Sequence, residues 1–372
     1  MALCAQIPST TPLERISWNS QGNKIAVCDG RKGTIFSESE SWRGASRLGL
    51  GLPDDIQGLI ERMQGTGDPI DIHAPPELVK CVLFSRLRDV VAVGVGFEVL
   101  FFDTLGSKMP MSADYDRTVF DVSWAPPDDR RVAVCGQGGT VRIFDRTAEA
   151  AALPLLVEAA TEDLYLSSVS FSQDGQLVAS CGSQGIVYVH DMRGENVAVC
   201  SAGPIILEFP VVRFSPTDSY RIVMCAKDEP FVCMFDLSRE QGTEYYRWPI
   251  ARYDVCDRGV KSVCFSPDGK VLAACDAEGE VTVLDAYELS SVDIMYDSPS
   301  DSDAPSDSDE DNQMTMKRLG AIHFEHACND VSFSPDGSRV AVCGPEGVNI
   351  FKWEHAHKEM LRVAAQHVML RL

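Results

Sequence analysis

The chain has 372 residues, of which 45% are hydrophobic, enough apolar material for a large core. Its 55 acidic and 33 basic residues leave a formal charge of −22, a balance that repels phosphate backbones and anionic lipid heads and favours basic partners. No run approaches the roughly 18 apolar residues of a membrane span, the opening Met-Ala-Leu-Cys-Ala-Gln-Ile-Pro does not read as a signal peptide, and the 13 scattered cysteines read as reduced thiols of the cytosol, the nucleus or both.

One pattern recurs seven times along the chain: a β-branched residue, then an aromatic one two positions later. In order the pairs are Ile16/Trp18, Val82/Phe84, Val122/Trp124, Val169/Phe171, Val212/Phe214, Val263/Phe265 and Val331/Phe333. Residues at i and i+2 share one face of a strand, so each pair predicts the apolar face of a short strand. A turn follows, plainest at Ser172-Gln173-Asp174-Gly175, Ser266-Pro267-Asp268-Gly269 and Ser334-Pro335-Asp336-Gly337; Pro presets φ, Asp bonds nearby N–H groups and Gly supplies positive φ. A second strand then ends in Cys28, Gly94, Cys135, Cys181, Cys225, Cys275 or Cys343, always 10 or 11 residues past the aromatic. A Gly-containing turn leads to a third strand, as at Gly139–Asp145 and Gly279–Asp285. Turns at this density and a repeat near 40 residues predict four-stranded blades.

These residues resemble the WD-repeat family, whose blade reads aromatic-Ser-Pro-Asp-Gly, then aliphatic-Ala-x-small, then Gly-x-Val-x-aliphatic-aromatic-Asp. The resemblance runs from about residue 13 to about residue 353. It implies an all-β fold, a seven-bladed β-propeller with two loop insertions. The terminal Trp-Asp is degraded, to Phe102-Asp103, Phe144-Asp145, His190-Asp191, Phe235-Asp236 and Leu284-Asp285, and blades one and seven end in Phe36-Ser37 and Phe351-Lys352. Packing, rather than that family's buried hydrogen-bond network, is therefore expected to hold the blades.

The pairs are spaced 66, 40, 47, 43, 51 and 68 residues apart, so the first and last gaps carry insertions, on loops, where function concentrates. The first insertion spans 38–79. Within it, residues 53–63 predict a short amphipathic helix with Ile56, Leu59, Ile60 and Met63 on one face, a candidate docking stripe for a partner groove. The second spans 286–322; its centre, 297–311, holds seven acids and five serines and is expected to be disordered. Ser298, Ser300, Ser306 and Ser308 each precede an Asp by three residues, the pattern of acidophilic kinase sites, and phosphate there would deepen the charge. The tail, 355–372, reads as a helix or as a closing outer strand, with the N-terminal stretch Leu3–Ile7 as the alternative for closing the ring.

Sites for chemistry are sparse. The equivalent cysteines lie in different blades and cannot converge on one tetrahedral metal; Ala and Cys at i and i+2 read instead as a small-residue face for the bulk of a neighbouring blade. His323, His326 and Cys328 are metal-capable and close, without an evident fourth ligand. No cofactor is expected: Gly-x-Ser-x-Gly, a phosphate loop and His-Glu-x-x-His are absent. Basic residues occur singly or in pairs, such as Arg130-Arg131 and Lys317-Arg318, so no direct nucleic-acid contact is expected. The residues just before each β-branched anchor (Arg15, Cys81, Asp121, Ser168, Val211, Ser262 and Asp330) sample the channel mouth, where a propeller hydrolase or lactonase would gather ligands; they assemble no nucleophile–base pair. The expectation is thus a non-enzymatic scaffold or adaptor for protein–protein contacts, a subunit of a larger complex, with a channel-mouth hydrolase as the alternative.

Overall fold

The computed structural model describes residues 2–40, 42, 45–47, 79–103, 105, 107–115, 117–146, 155–158, 165–192, 196–201, 207–238, 246–247, 249–256, 259–291 and 314–353. Among them every regular element is a β-strand except the 3₁₀ turn Glu38–Glu40. The inner strands of seven blades are Arg15–Trp18, Val79–Phe84, Val119–Trp124, Leu166–Phe171, Val211–Phe214, Val260–Phe265 and Asp330–Phe333. Each is followed by an antiparallel meander of two further strands, and an outer strand completes the blade. The chain is a seven-bladed β-propeller, as the repeat implied.

The ring closes through its beginning. Ala2–Pro8 pairs antiparallel with Gly347–Lys352 and is the outer strand of blade seven, so the N-terminal alternative is the one realised. The tail 355–372 lies outside the described residues, as do 53–63 and 297–311. Residues 286–291 and 314–322, expected within a disordered insertion, are strand instead: Glu280–Ser291 and Met314–His323 form a long hairpin in register Leu289↔Met316, Ser290↔Thr315 and Ser291↔Met314. Their alternation of Leu289, Met314 and Met316 with polar residues is strand periodicity that the nearby acidic run masked. Two outer edges are covered by parallel neighbours, that of blade four by Tyr246–Arg247 and that of blade five by the start of Met314–His323, which leaves fewer unpaired edge groups for aggregation.

The core is not one cluster but seven, one between each pair of neighbouring blades. Five follow one rule, and blade five keeps it with Val223 in place of Ala. The small residues of one blade's second strand receive the β-branched/aromatic pair of the next: Ala26 and Cys28 meet Val82 and Phe84, Ala133 and Cys135 meet Val169 and Phe171, and Ala341 and Cys343 meet Ile16 and Trp18. Bulk against small keeps a wedge-shaped interface filled, and each fully buried Val or Phe contributes about 1.5–3 kcal/mol. Blade two departs from the rule for a steric reason. Its second-strand slot is Gly94, opposite Cys81, and a Cβ there would lie 2.6 Å from the Cys81 sulfur and 2.7 Å from Val119 Cγ1. The cysteine has crossed the ladder, and glycine makes room for it.

The turns are built as their composition suggests. Ser172, Ser266 and Ser334 each donate to the Asp two residues on and accept a backbone N–H five residues on. Gly175, Gly269 and Gly337 take φ of 66–70°, a region that only glycine enters freely.

Candidate functional site: the channel and the leading face

An inner strand is an edge strand, and its outward N–H groups face the channel with no ladder partner. The preceding blade supplies acceptors. Asp330 accepts the N–H of Ile16 at 3.0 Å, Ser17 that of Phe84 at 2.9 Å, Ser123 that of Phe171 at 3.1 Å, and Ser170 that of Phe214 at 3.0 Å. Asp121 accepts from Val169 at 3.2 Å. Where the aromatic is Trp, a second link forms: the indoles of Trp18 and Trp124 donate to the carbonyls of Ser332 and Leu83. The channel therefore staples blade to blade through polar side chains.

Of the seven positions expected at the channel mouth, Arg15, Cys81, Asp121, Ser262 and Asp330 line one cavity of about 440 Å³. Ser168 reaches the same network by donating to Asp121 at 2.9 Å, and Val211 is buried in the interface of blades five and six. The two acids are fully engaged. Asp121 takes Val122 N–H on one oxygen and Ser168, Val169 and Arg213 on the other. Asp330 takes Ser262 and Val331 N–H on one and Ile16 N–H on the other. Sequence reasoning missed Arg213, which pairs with Asp121 at 3.2 Å. The signal was its position between Val212 and Phe214, where the other blades carry Ser, Leu or Cys.

The cysteines behind this lining are not nucleophiles. Burial pushes the thiols of Cys81, Cys225 and Cys264 up to about 12 and those of Cys28, Cys135, Cys181, Cys275 and Cys343 well above the ordinary thiol range. Such groups stay protonated and behave as small hydrophobes. His326 bonds Glu346 at 2.6 Å.

The second feature lies at the end of the ring where the inner strands begin. The strand registers place there the connectors into each inner strand and those between second and third strands. In blades two, three, four and six the first inner-strand residues are bulged, at Lys80, Phe120, Ser167 and Lys261. A bulge re-aims its side chain. Lys261 bonds Asn329 of the next blade at 2.8 Å. Phe120 instead meets Tyr165 edge-on at 5.9 Å and Phe209 at 6.2 Å, while Tyr165 and Phe209 stack at 5.3 Å. Phe209 is 46% exposed and sits at φ 46°, a left-handed conformation that costs a non-glycine residue on the order of 1 kcal/mol. Lys227 covers part of its ring at 5.8 Å and pairs with Glu208 at 3.3 Å. Sequence reasoning missed this ledge because its three rings come from three blades.

Beside the ledge, on blades five to seven of the same face, Glu208, Asp228, Asp254, Glu278, Glu325 and Glu346 are exposed. Lys227, Arg252 and His326 each face one of them, so acids outnumber these three basic residues two to one. Ile56, Leu59, Ile60 and Met63, and Ser298, Ser300, Ser306 and Ser308, lie outside the described residues.

Comparison with known proteins agrees with this architecture. The family described as WD domain, G-beta repeat matches residues 158–191 and 248–285. Each match begins in or just before the outer strand of one blade and runs through the third strand of the next, so the sequence repeat straddles two blades. A curated relative, the cross-pathway control WD-repeat protein 2 of Flammulina velutipes, is 32% identical over 124 residues, covering 32% of this chain and 37% of the relative. The match thus spans little more than a third of that protein's length. Among solved structures, a chain of the crystal structure of the mitotic checkpoint complex superposes with a TM-score of 0.65 at 14% identity, covering 95% of this chain and 93% of that one. At that identity the likeness concerns the fold.

Proposed function

We propose, from the premise that this chain resembles the WD-repeat propellers in its repeats and is built as one of them, that it is a non-enzymatic scaffold whose leading face docks basic segments of partner proteins. The observation that carries the reading is Phe209, large, 46% exposed and held at positive φ against Tyr165. Apolar exposure is a cost to the free protein that is recovered when a partner covers the ring, and strained backbone that is nonetheless kept clusters at binding sites. The adjoining carboxylates select for Lys and Arg, through charge and through cation–π contact with rings already presented. The name of the structural neighbour refers to a multiprotein assembly, which accords with a platform role.

The stripe Ile56, Leu59, Ile60 and Met63 is proposed as a second docking element. Ser298, Ser300, Ser306 and Ser308 are proposed phosphorylation sites that make the chain more acidic, and a cytoplasmic or nuclear setting is proposed from the reduced cysteines. Among the described residues no helix is long and apolar enough to cross a membrane. The hydrolase alternative is disfavoured because Asp121 and Asp330 spend their oxygens on backbone N–H groups, Ser hydroxyls and Arg213, which leaves neither of these two acids poised as a base.

Affinity purification of the full chain with crosslinking mass spectrometry tests the reading. Stoichiometric partners whose Lys-rich segments crosslink near Lys227, and which are lost on Phe209→Ala with Tyr165→Ala, are expected. Partners retained in full by that double variant would overturn the assignment of the face.

A further inference from the structure

Three arginines break the repeat that surrounds them, and all three line the same cavity. Arg15 stands in the slot that carries Cys81, Asp121, Ser168, Val211, Ser262 and Asp330 in the other blades. Arg213 stands where the others carry Ser, Leu or Cys. Arg86 occupies the turn position after the inner strand, which is proline in four of the seven blades, at Pro126, Pro216, Pro267 and Pro335. In a repeat protein, slots that depart from their own rule are where function is expected to override packing.

The donors of these arginines are largely unspent. Arg213 uses Nη1 on Asp121, Ser168 and Val212 O, and no other hydrogen bond of its guanidinium is formed among the described residues. Arg15 and Arg86 form no hydrogen bond or ion pair there at all. Asp121 already accepts four donors and Asp330 three, which leaves little acceptor capacity for the surplus. Arg15 is kept charged: its burial acts to lower its pKa, and the fields of Asp330 and Asp121 outweigh that and raise it. Arg86 is exposed at the opposite end of the channel, in the turn where the inner strand of blade two finishes, and lines the cavity from there. Guanidinium forks in a confined, poorly solvated space match oxyanions bidentately, and a volume of about 440 Å³ lies within the ordinary range for small-molecule sites.

We propose that the channel is a binding site for a small polyanion carrying phosphoryl or carboxylate groups, held by Arg15, Arg86 and Arg213. More than one anionic group is required by the spacing. Arg86 lies five positions beyond Cys81, the counterpart of Arg15 in blade two, which separates the two backbones along the channel by on the order of 15 Å. Ser20 lines the same end as Arg86 and carries a neutral hydroxyl donor.

Titration calorimetry and thermal melting of the full chain test this, with tripolyphosphate and citrate as probes and sodium chloride matched for ionic strength. Tripolyphosphate is expected to bind one-to-one and raise the melting temperature above the salt control. Arg86→Gln, a turn residue outside every blade core, is expected to weaken binding at least ten-fold with the melting temperature of the free protein retained. Arg31→Gln removes one exposed positive charge from the connector between the second and third strands of blade one, outside the cavity lining, and is expected to leave binding unchanged. Citrate binding with the same dependence on Arg86 identifies general oxyanion recognition; citrate remaining silent while tripolyphosphate binds restricts the site to phosphoryl groups. No binding by either probe, or equal losses for Arg86→Gln and Arg31→Gln, would overturn the proposal.

Discussion

Phe120 and Asp121 are consecutive residues of one inner strand, and they belong to regions of opposite character. Asp121 is buried and saturated, linking blade three to Ser168, Val169 and Arg213. Phe120 is bulged outward into a ledge that ends in the exposed, strained ring of Phe209. Around Asp121 and Asp330 the channel lining pairs its buried polar groups from blade to blade; the leading face carries exposure and strain at Phe209. A residue that links the blades and one presented towards the surface thus stand side by side in the same strand.

Substitutions should separate the two regions cleanly. The largest effect is expected for Asp330→Ala, which frees the buried N–H of Ile16 and the hydroxyl of Ser262 and leaves Arg15 short of a counter-charge; about 3 kcal/mol of stability should be lost in urea denaturation. An unchanged midpoint would refute the stapling role of the channel. Next is Gly94→Cys, which restores the repeat's own residue yet collides with Cys81 and Val119. It should cost about 2 kcal/mol, and Cys81→Ala in the same chain should recover part of that, as touching residues couple.

On the face the sign reverses. Phe209→Gly removes a positive-φ penalty and should leave stability unchanged or raise it by up to about 1 kcal/mol, while partner capture falls. A large loss of stability would make the ledge part of the core. The smallest effect concerns the turns. Asp174 and Asp336 are partly buried, which alone would raise their pKa, but the hydroxyls of Ser172 and Ser334 and nearby N–H groups hold both below the ordinary carboxylate value. A depressed folded-state pKa contributes stability at neutral pH that is lost as pH falls through it, so denaturation midpoints should decline below about pH 4. Asp336→Asn should flatten that decline slightly.

Legibility in the sequence followed the range of the interactions. The pairs such as Val82/Phe84 and the slots such as Cys135 were readable because strand alternation and turn chemistry are local, and local patterns repeat. Even the exception at Gly94 was visible as a gap in a column, though its cause, the Cys81 sulfur, lay across a ladder. Arg213 stood out only by comparison with its counterparts. The ledge was not readable, since Phe120, Tyr165 and Phe209 carry no common motif and meet only when three blades are assembled.

By itself the sequence determined the number of blades, the strands within them and the bulk-against-small packing between them, since each depends on residues within one repeat or the next. Tertiary structure alone decided how the ring closes and what the polar residues of the channel do. Asp330 and Ile16 are 314 positions apart, and Ala2–Pro8 finds its ladder partner at the other end of the described chain. The sequence repeat begins at an outer strand and the structural blade at an inner one, so the last blade is left one strand short. Only the circle, which brings the first strand beside the last, supplies it.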